Sequence, residues 1–188
     1  MSKTLTRIWI GCVACYSNGH LTGEWFNAID APTEPKGFTA KLRQAPFSHS
    51  VRHDELWVMA HEGFEGLLSG SSEFLPEIGV KVAQLIQAIE ADGLDPVVVG
   101  RWVRHEDKDV IGMNWPQARE EFQDAYAGCF GDLGEYAAQT WDGNEALESL
   151  PDELRQNIDW DGVGRDAEFN GTIYSIETGI KETHVFTI

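Results

Sequence analysis

Between residues 54 and 168 the chain carries 26 acidic and 7 basic side chains. Any fold it adopts has to keep nearly all of those carboxylates in water, because an unpaired buried charge is far too costly. The flanks differ. Residues 1–53 hold three acids (Glu24, Asp30, Glu34) and six bases (Lys3, Arg7, Lys36, Lys41, Arg43, Arg52), and residues 169–188 add one net negative charge, for −17 in all. Within 120–161, twelve acids face one base, Arg155. Glu120 and Asp124 are like charges at i,i+4, and Glu121/Asp124, Asp132/Glu135 and Glu145/Glu148 repeat the conflict at i,i+3. Each such pair on a helix costs about 0.2–0.5 kcal/mol, where a Glu–Lys pair would contribute as much in the other direction. A solvated, solubilising surface is the bland reading of this run; a surface built to be negative is the functional one. The chain is not a disordered acidic tail, since 42% of it is apolar and seven tryptophans are available for a core.

A surface of this sign repels nucleic acid and anionic membranes and attracts basic surfaces. Duplex DNA carries one charge per about 1.7 Å of axis, so 31 carboxylates at that density would cover roughly 53 Å, or about fifteen base pairs. Met1–Arg7 is polar, and the apolar run Ile8–Tyr16 is far too short to span a bilayer. Three cysteines (Cys12, Cys15, Cys129) cannot all pair within the chain. The expectation is a reduced, cytoplasmic protein with no membrane and no nucleic acid among its partners.

The pattern along the chain is α+β. Alternation predicts a buried strand over 7–16, a turn at Ser17-Asn18-Gly19 and, over 23–29, a second strand or a strand leading into a loop. Residues 30–50, with Pro32, Pro35 and Pro46, read as a loop or short helix, and 55–60 as another strand. After a Gly/Ser-rich join at 66–73, Ile78, Val82, Leu85, Ile86 and Ile89 form one helical stripe over 76–91, opened by Pro76 and stopped by Gly93. Residues 94–115 are ambiguous: Val97–Val99 favours a strand, and 101–109 is charged and reads as exposed. A helix is predicted over 116–127, with Ala118, Phe122, Ala125 and Tyr126 facing inward. Asp132 caps a third helix, with Leu133, Tyr136 and Ala137 inward. Leu150-Pro151 opens a fourth through Asn157, and strands at 172–176 and 184–188 close the chain. The expected division is a β-rich domain over 1–65, a helical domain over 66–117 and an acidic α+β domain over 118–188.

Chemistry-bearing motifs are scarce. Cys12-Val-Ala-Cys15 is a CxxC, but no second ligand pair stands at a zinc spacing, and His49 and His53 are distant in sequence. A redox CxxC belongs at a helix start, whereas this one falls in a strand pattern, so buried core cysteines are expected. Asp159-Trp160-Asp161 with Gly164 opens like a calcium loop, but Val163 and Asn170 break it. His61-Glu62 and His105-x-Asp107 read as exposed polar residues. There is no GxSxG, P-loop or GxGxxG. No catalytic residue, metal or cofactor is expected. A hydrolase or metal-binding reading has only these fragments in its favour.

Four stretches, taken together, resemble the ArdA antirestriction family. They are Ile8-Trp9-Ile10-Gly11-Cys12 running on through Tyr16 to Phe26; Glu55-Leu56-Trp57-Val58-Met59-Ala60-His61-Glu62-Gly63-Phe64; the acidic helix at Asp132–Tyr136; and Leu150-Pro151-Asp152-Glu153-Leu154 followed by Asn157-Ile158-Asp159-Trp160-Asp161 and Gly164-Arg165-Asp166. Their order and spacing cover nearly the whole chain. The resemblance implies three small domains in a curved, elongated shape and a homodimer joined through the C-terminal region. It also implies carboxylates standing where phosphates stand in B-DNA, and no catalysis. The partner it implies is the DNA-binding groove of a type I restriction–modification enzyme, formed by the specificity and modification subunits. The candidate mimic carboxylates are Glu62, Glu65, Glu73, Glu77, Glu90, Asp92, Asp107, Asp109, Glu120, Glu121, Asp124, Asp132, Glu135, Asp142, Glu145, Glu148, Asp152, Glu153, Asp159 and Asp161. The alternative is an acidic binding module for another basic DNA-binding protein.

Overall fold

The computed structural model describes residues 5–38, 53–68 and 74–188. These form two compact units, Met1–Trp115 and Pro116–Ile188, of mixed helices and antiparallel strands, as the α+β pattern predicts. Among the described residues no helix is long and apolar enough to cross a membrane.

The first unit is built on a three-stranded antiparallel sheet in the order β2-β1-β3. Its strands are β1 (Arg7–Cys12), β2 (Gly23–Asn27) and β3 (Leu56–Glu62). Ile8 and Ile10 on β1 and Val58 on β3 are fully buried. Trp9 lies over Gly11 and Gly23, which face each other across the sheet; a Cβ on either would meet its ring at under 3 Å. The expected strand over 7–16 ends early. Val13–Ser17 is a short helix, α1, whose N-cap is Cys12. The alternation that suggested a strand continues through Val13–Cys15, but Cys12 Sγ accepts the Cys15 amide and turns the chain. The predicted turn follows at Gly19 (φ 80°), and short 3-10 turns occupy Ala28–Asp30 and Pro35–Phe38. The rest of the 30–50 reading lies outside the described residues, as does most of the 66–73 join.

Helix α2 (Pro76–Ala91) has the expected bounds. Its stripe of Val82, Leu85, Ile86 and Ile89 is buried, and Gly79 sits close against Ile8. Val97–Val99 corrects the strand reading, because it lies in helix α3 (Pro96–His105). Asp95 accepts the Val97 amide at 2.8 Å and Pro96 takes the first helical position, two local signals that override β-branched propensity. Trp102 and Val103 within the charged stretch 101–109 are buried. Lys108 lies 4.8 Å over the Trp102 ring, so the charge is carried by residues around an apolar stripe.

The second unit carries a sheet in the order β4-β6-β5: β4 (Tyr126–Phe130), β5 (Ile173–Gly179) and β6 (Glu182–Thr187). Helix α4 (Trp115–Ala125) stops two residues short of the predicted end. Tyr126 starts a strand instead, with the β-formers Tyr126, Cys129 and Phe130 paired to β6. Phe186 centres the core: Tyr174 stacks on it at 5.0 Å, Phe122 meets it edge-on at 5.7 Å, and Tyr126 lies at 5.2 Å.

Four helices fill the span between β4 and β5: α5 (Leu133–Trp141), the single turns α6 (Glu145–Glu148) and α7 (Asp152–Arg155), and α8 (Trp160–Phe169). Only α5 and α7 fall within predicted segments. Helices α5 and α8 cross at two glycines. A Cβ on Gly164 would stand 2.3 Å from the Leu133 carbonyl oxygen, and one on Gly134 would stand 2.1 Å from Asp161 Oδ1. Gly164→Ala is expected to destabilise the second unit by about 1–3 kcal/mol, as overpacking does, read as a lowered urea midpoint at unchanged slope.

Candidate functional site

The structure places the candidate carboxylates at the surface. Glu73 lies outside the described residues; of the rest, all are exposed except Glu65 and Glu90, which are half-buried. In the first unit they are dispersed. Glu62 ends β3 at 3.7 Å from Arg7. Glu65 sits in a loop at φ 46°, and its carbonyl lies so close to Gly100 that a Cβ there would stand 2.4 Å away. Glu77 and Glu90 occupy the two ends of α2, and Asp107 takes a left-handed conformation (φ 51°). Asp109 accepts the Ile111 amide at 3.0 Å. Arg101, Arg104 and Lys108 are interleaved among them, so 15 acids against 10 bases leave the unit at −5.

The second unit is different. Its 73 residues hold 16 acids against 4 bases, a net of −12. Two of those bases are already engaged: Arg155 pairs with Asp152 and Arg165 lies 3.9 Å from Asp159. Such exposed pairs contribute little. Glu120, Glu121 and Asp124 project from α4 opposite its buried Ala118 and Phe122. Glu145, Glu148, Asp152 and Glu153 line the two single-turn helices.

The glycine crossing of α5 and α8 brings two helix N-termini side by side. Asp132 caps α5, accepting the Glu135 amide at 2.8 Å, and Glu135 reaches back to the Gly131 amide at 2.6 Å. Asp159 caps α8, accepting the Gly162 amide at 2.9 Å. Asp161 lies within the first turn of the same helix. Asp132, Glu135, Asp159 and Asp161 therefore ring one shallow concavity of about 410 Å³. Four carboxylates can sit together because backbone amides and helix N-terminal dipoles offset part of their repulsion. The calcium-like opening Asp159-Trp160-Asp161 is thus a helix cap.

Elsewhere the dipole preference is set aside. Helices α2, α5 and α8 have no base in their last turns, and Asp92 and Asp142 are the C-cap residues of α2 and α5. Asp92 is held there by the Trp115 indole N–H at 2.9 Å. The field is felt by Cys129: partial desolvation pushes its thiol up, and the nearby carboxylates of Glu182 and Glu135 push it the same way. Exposed carboxylates beyond the candidate set include Asp95, Asp166, Glu168, Glu177 and Glu182. The last four extend the second unit's surface, and they stood outside the densest sequence window. His61 packs against Phe64 and Phe74, and His105 contacts Glu106 at 3.4 Å. Asp132→Ala is expected to cost about 1 kcal/mol through the lost cap, whereas Asp132→Asn keeps the acceptor and most of the stability; paired urea titrations read the difference.

No curated protein matches the chain. The family model described as Antirestriction protein (ArdA) matches residues 8–182. That span runs from the second residue of β1 to the first residue of β6 and takes in every helix described above, and the chain belongs to the ArdA antirestriction family.

Proposed function

We propose that the chain is an antirestriction protein that acts as a non-catalytic mimic of B-form DNA, occupying the DNA-binding groove of type I restriction–modification enzymes. The observation that carries this reading is the second unit's surface, where 16 acids face 4 bases, most of the acids on short helices or at their ends. At the charge density of duplex DNA, sixteen carboxylates would correspond to roughly 27 Å of axis, about eight base pairs. A restriction enzyme's groove is lined with Lys and Arg that hold phosphates. A preorganised array of carboxylates competes for those groups without presenting base edges, so inhibition is independent of recognition sequence. It acts in the cytoplasm, on the specificity and modification subunits together.

The reading includes a homodimer joined through the C-terminal region. An apolar groove of about 360 Å³ opens in the second unit between Trp141, Leu147, Leu150, Ile158, Trp160 and Val163. Leu154, four residues on from Leu150 in the sequence, is 58% exposed. An unbroken apolar strip of this kind on an otherwise charged surface suits a partner surface, and a second copy would double the mimicked length. Light scattering at micromolar concentration should give the mass of a dimer for the native chain and of a monomer for the Leu150→Asp/Leu154→Asp variant. A native chain that runs as a monomer removes the dimer from the reading.

The main test is displacement of DNA from a purified type I methyltransferase core. Full displacement is expected near stoichiometric protein, equally for specific and unrelated duplexes, and less well at higher salt because screening acts over about 8–10 Å near physiological ionic strength. Neutralising Glu120, Glu121, Asp124, Asp132, Glu135, Asp159 and Asp161 together with Gln or Asn, which preserves the caps, should weaken displacement more than about tenfold, or 1.4 kcal/mol. Single changes should have little effect. Unchanged displacement by the folded seven-site variant would sink the mimic. DNA that stays bound to the enzyme throughout favours a different basic partner.

A further inference from the structure

The strand register brings His53 to Cys12 and Cys15, which lie 41 and 38 residues from it in the sequence. Cys12 is the last residue of the central strand and pairs with Leu56 at the start of β3. The Val13 amide donates to the Glu55 carbonyl at 3.1 Å, which carries the approach to β3 past the end of β1. His53 therefore arrives beside α1. Its Nδ1 lies 3.1 Å from Cys12 Sγ and 3.4 Å from Cys15 Sγ. The three ligand atoms all lie within 4.8 Å of one another, with both cysteines buried and His53 half-buried. The expectation of inert core cysteines rested on a strand through Cys15; the helix that replaces it turns both sulfurs to one side.

We infer that Cys12, Cys15 and His53 bind one thiophilic divalent cation, zinc(II). A tetrahedral zinc with bonds of about 2.3 Å to sulfur and about 2.05 Å to nitrogen has S···N edges of about 3.6 Å. The distances here are a few tenths of an ångström shorter, within reach of small side-chain rotations. Hydrogen bonding alone serves the trio poorly. A single Nδ1 carries one proton or one lone pair, yet it faces two sulfurs, and His53 Nε2 is buried without a partner among the described residues. One dication changes the balance. It replaces two thiol protons, which leave to solvent, and two thiolates with one neutral imidazole give a site of no net charge. The Cys15 amide already aimed at Cys12 Sγ at 3.4 Å supports the thiolate form, as outer-shell donors do. Two sulfurs exclude magnesium and calcium, which take oxygen ligands. The fourth position is left to solvent. Bound there, the ion ties the β1–α1 corner to the start of β3. This site is separate from the carboxylate surface, and its test needs no restriction enzyme.

The experiment uses the full reduced chain with Cys129→Ser, which removes the exposed third thiol, freed of metal and titrated with cobalt(II) and then zinc(II). One equivalent of cobalt should produce a thiolate-to-metal charge-transfer band and tetrahedral visible bands. One equivalent of zinc should abolish them with release of two protons. Cys15→Ser and His53→Ala should each weaken binding at least tenfold. X-ray absorption of the zinc-loaded native chain gives an answer independent of any variant: two sulfur scatterers and an imidazole are expected. A shell of nitrogen and oxygen alone, no band at equimolar cobalt, or a Cys12–Cys15 disulfide in the chain purified under reductant would overturn the inference.

Discussion

A carboxylate without a partner has to stay in water, and in the second unit that requirement governs how little can be folded inside. Sixteen acids in 73 residues leave room for a thin core only. It is made dense by aromatic rings around Phe186 and by β6 running between β4 and β5. The helices above it are short, so each residue given to a helix brings a large share of end positions. Ends are where acids are tolerated, because free amides and the dipole accept negative charge at the start. Short helices and an acidic surface are thus two consequences of one constraint.

Close backbone approach does the rest. Gly134 and Gly164 let α5 and α8 cross closely, Gly164 against the Leu133 carbonyl and Gly134 against the Asp161 carboxylate, which sets the caps Asp132 and Asp159 into one concavity. Larger residues at either glycine would separate the helices and disperse the charge. Stability and charge density are therefore coupled at the same crossing. In the first unit acids are interspersed with Arg101, Arg104 and Lys108 instead, and its deep core of Val82, Ile86, Ile89, Val99 and Trp102 is that of an ordinary α+β domain.

The parts of this fold legible in the sequence were those where one signal acts alone. The stripe from Val82 to Ile89, bracketed by Pro76 and Gly93, has no competitor and gives α2 at its predicted bounds. Asp132 and its neighbour Glu135 announce a cap directly. Where two signals compete, the local backbone signal wins over side-chain propensity: Asp95-Pro96 makes a helix of the valines 97–99, and Cys12 ends a strand whose alternation runs on. Tyr126 fits a helical stripe and a strand equally well, and only pairing with β6 decides it. The carboxylate surface was legible as composition, since exposure follows from charge; the juxtaposition of Asp132 with Asp159 was not, because it depends on a helix crossing 27 residues apart in sequence. The proximity of His53 to Cys12 and Cys15 depends likewise on the register of β3.

The two candidate sites make opposite uses of negative charge. On the second unit, 16 acids outnumber 4 bases, so the field reaches outward, and its strength depends on the number of groups more than on any one position. At the β1–α1 corner, two potential thiolates are buried, where an unbalanced charge is costly and is useful only when one ion cancels it locally. The first arrangement tolerates single substitutions and responds to salt, since its interactions cross water. The second depends on the placement of three atoms and is largely shielded from ionic strength by burial. A chain that carries both has to separate them, and the structure puts the Cys12–Cys15–His53 cluster and the densest carboxylates in different units, each folded around its own sheet.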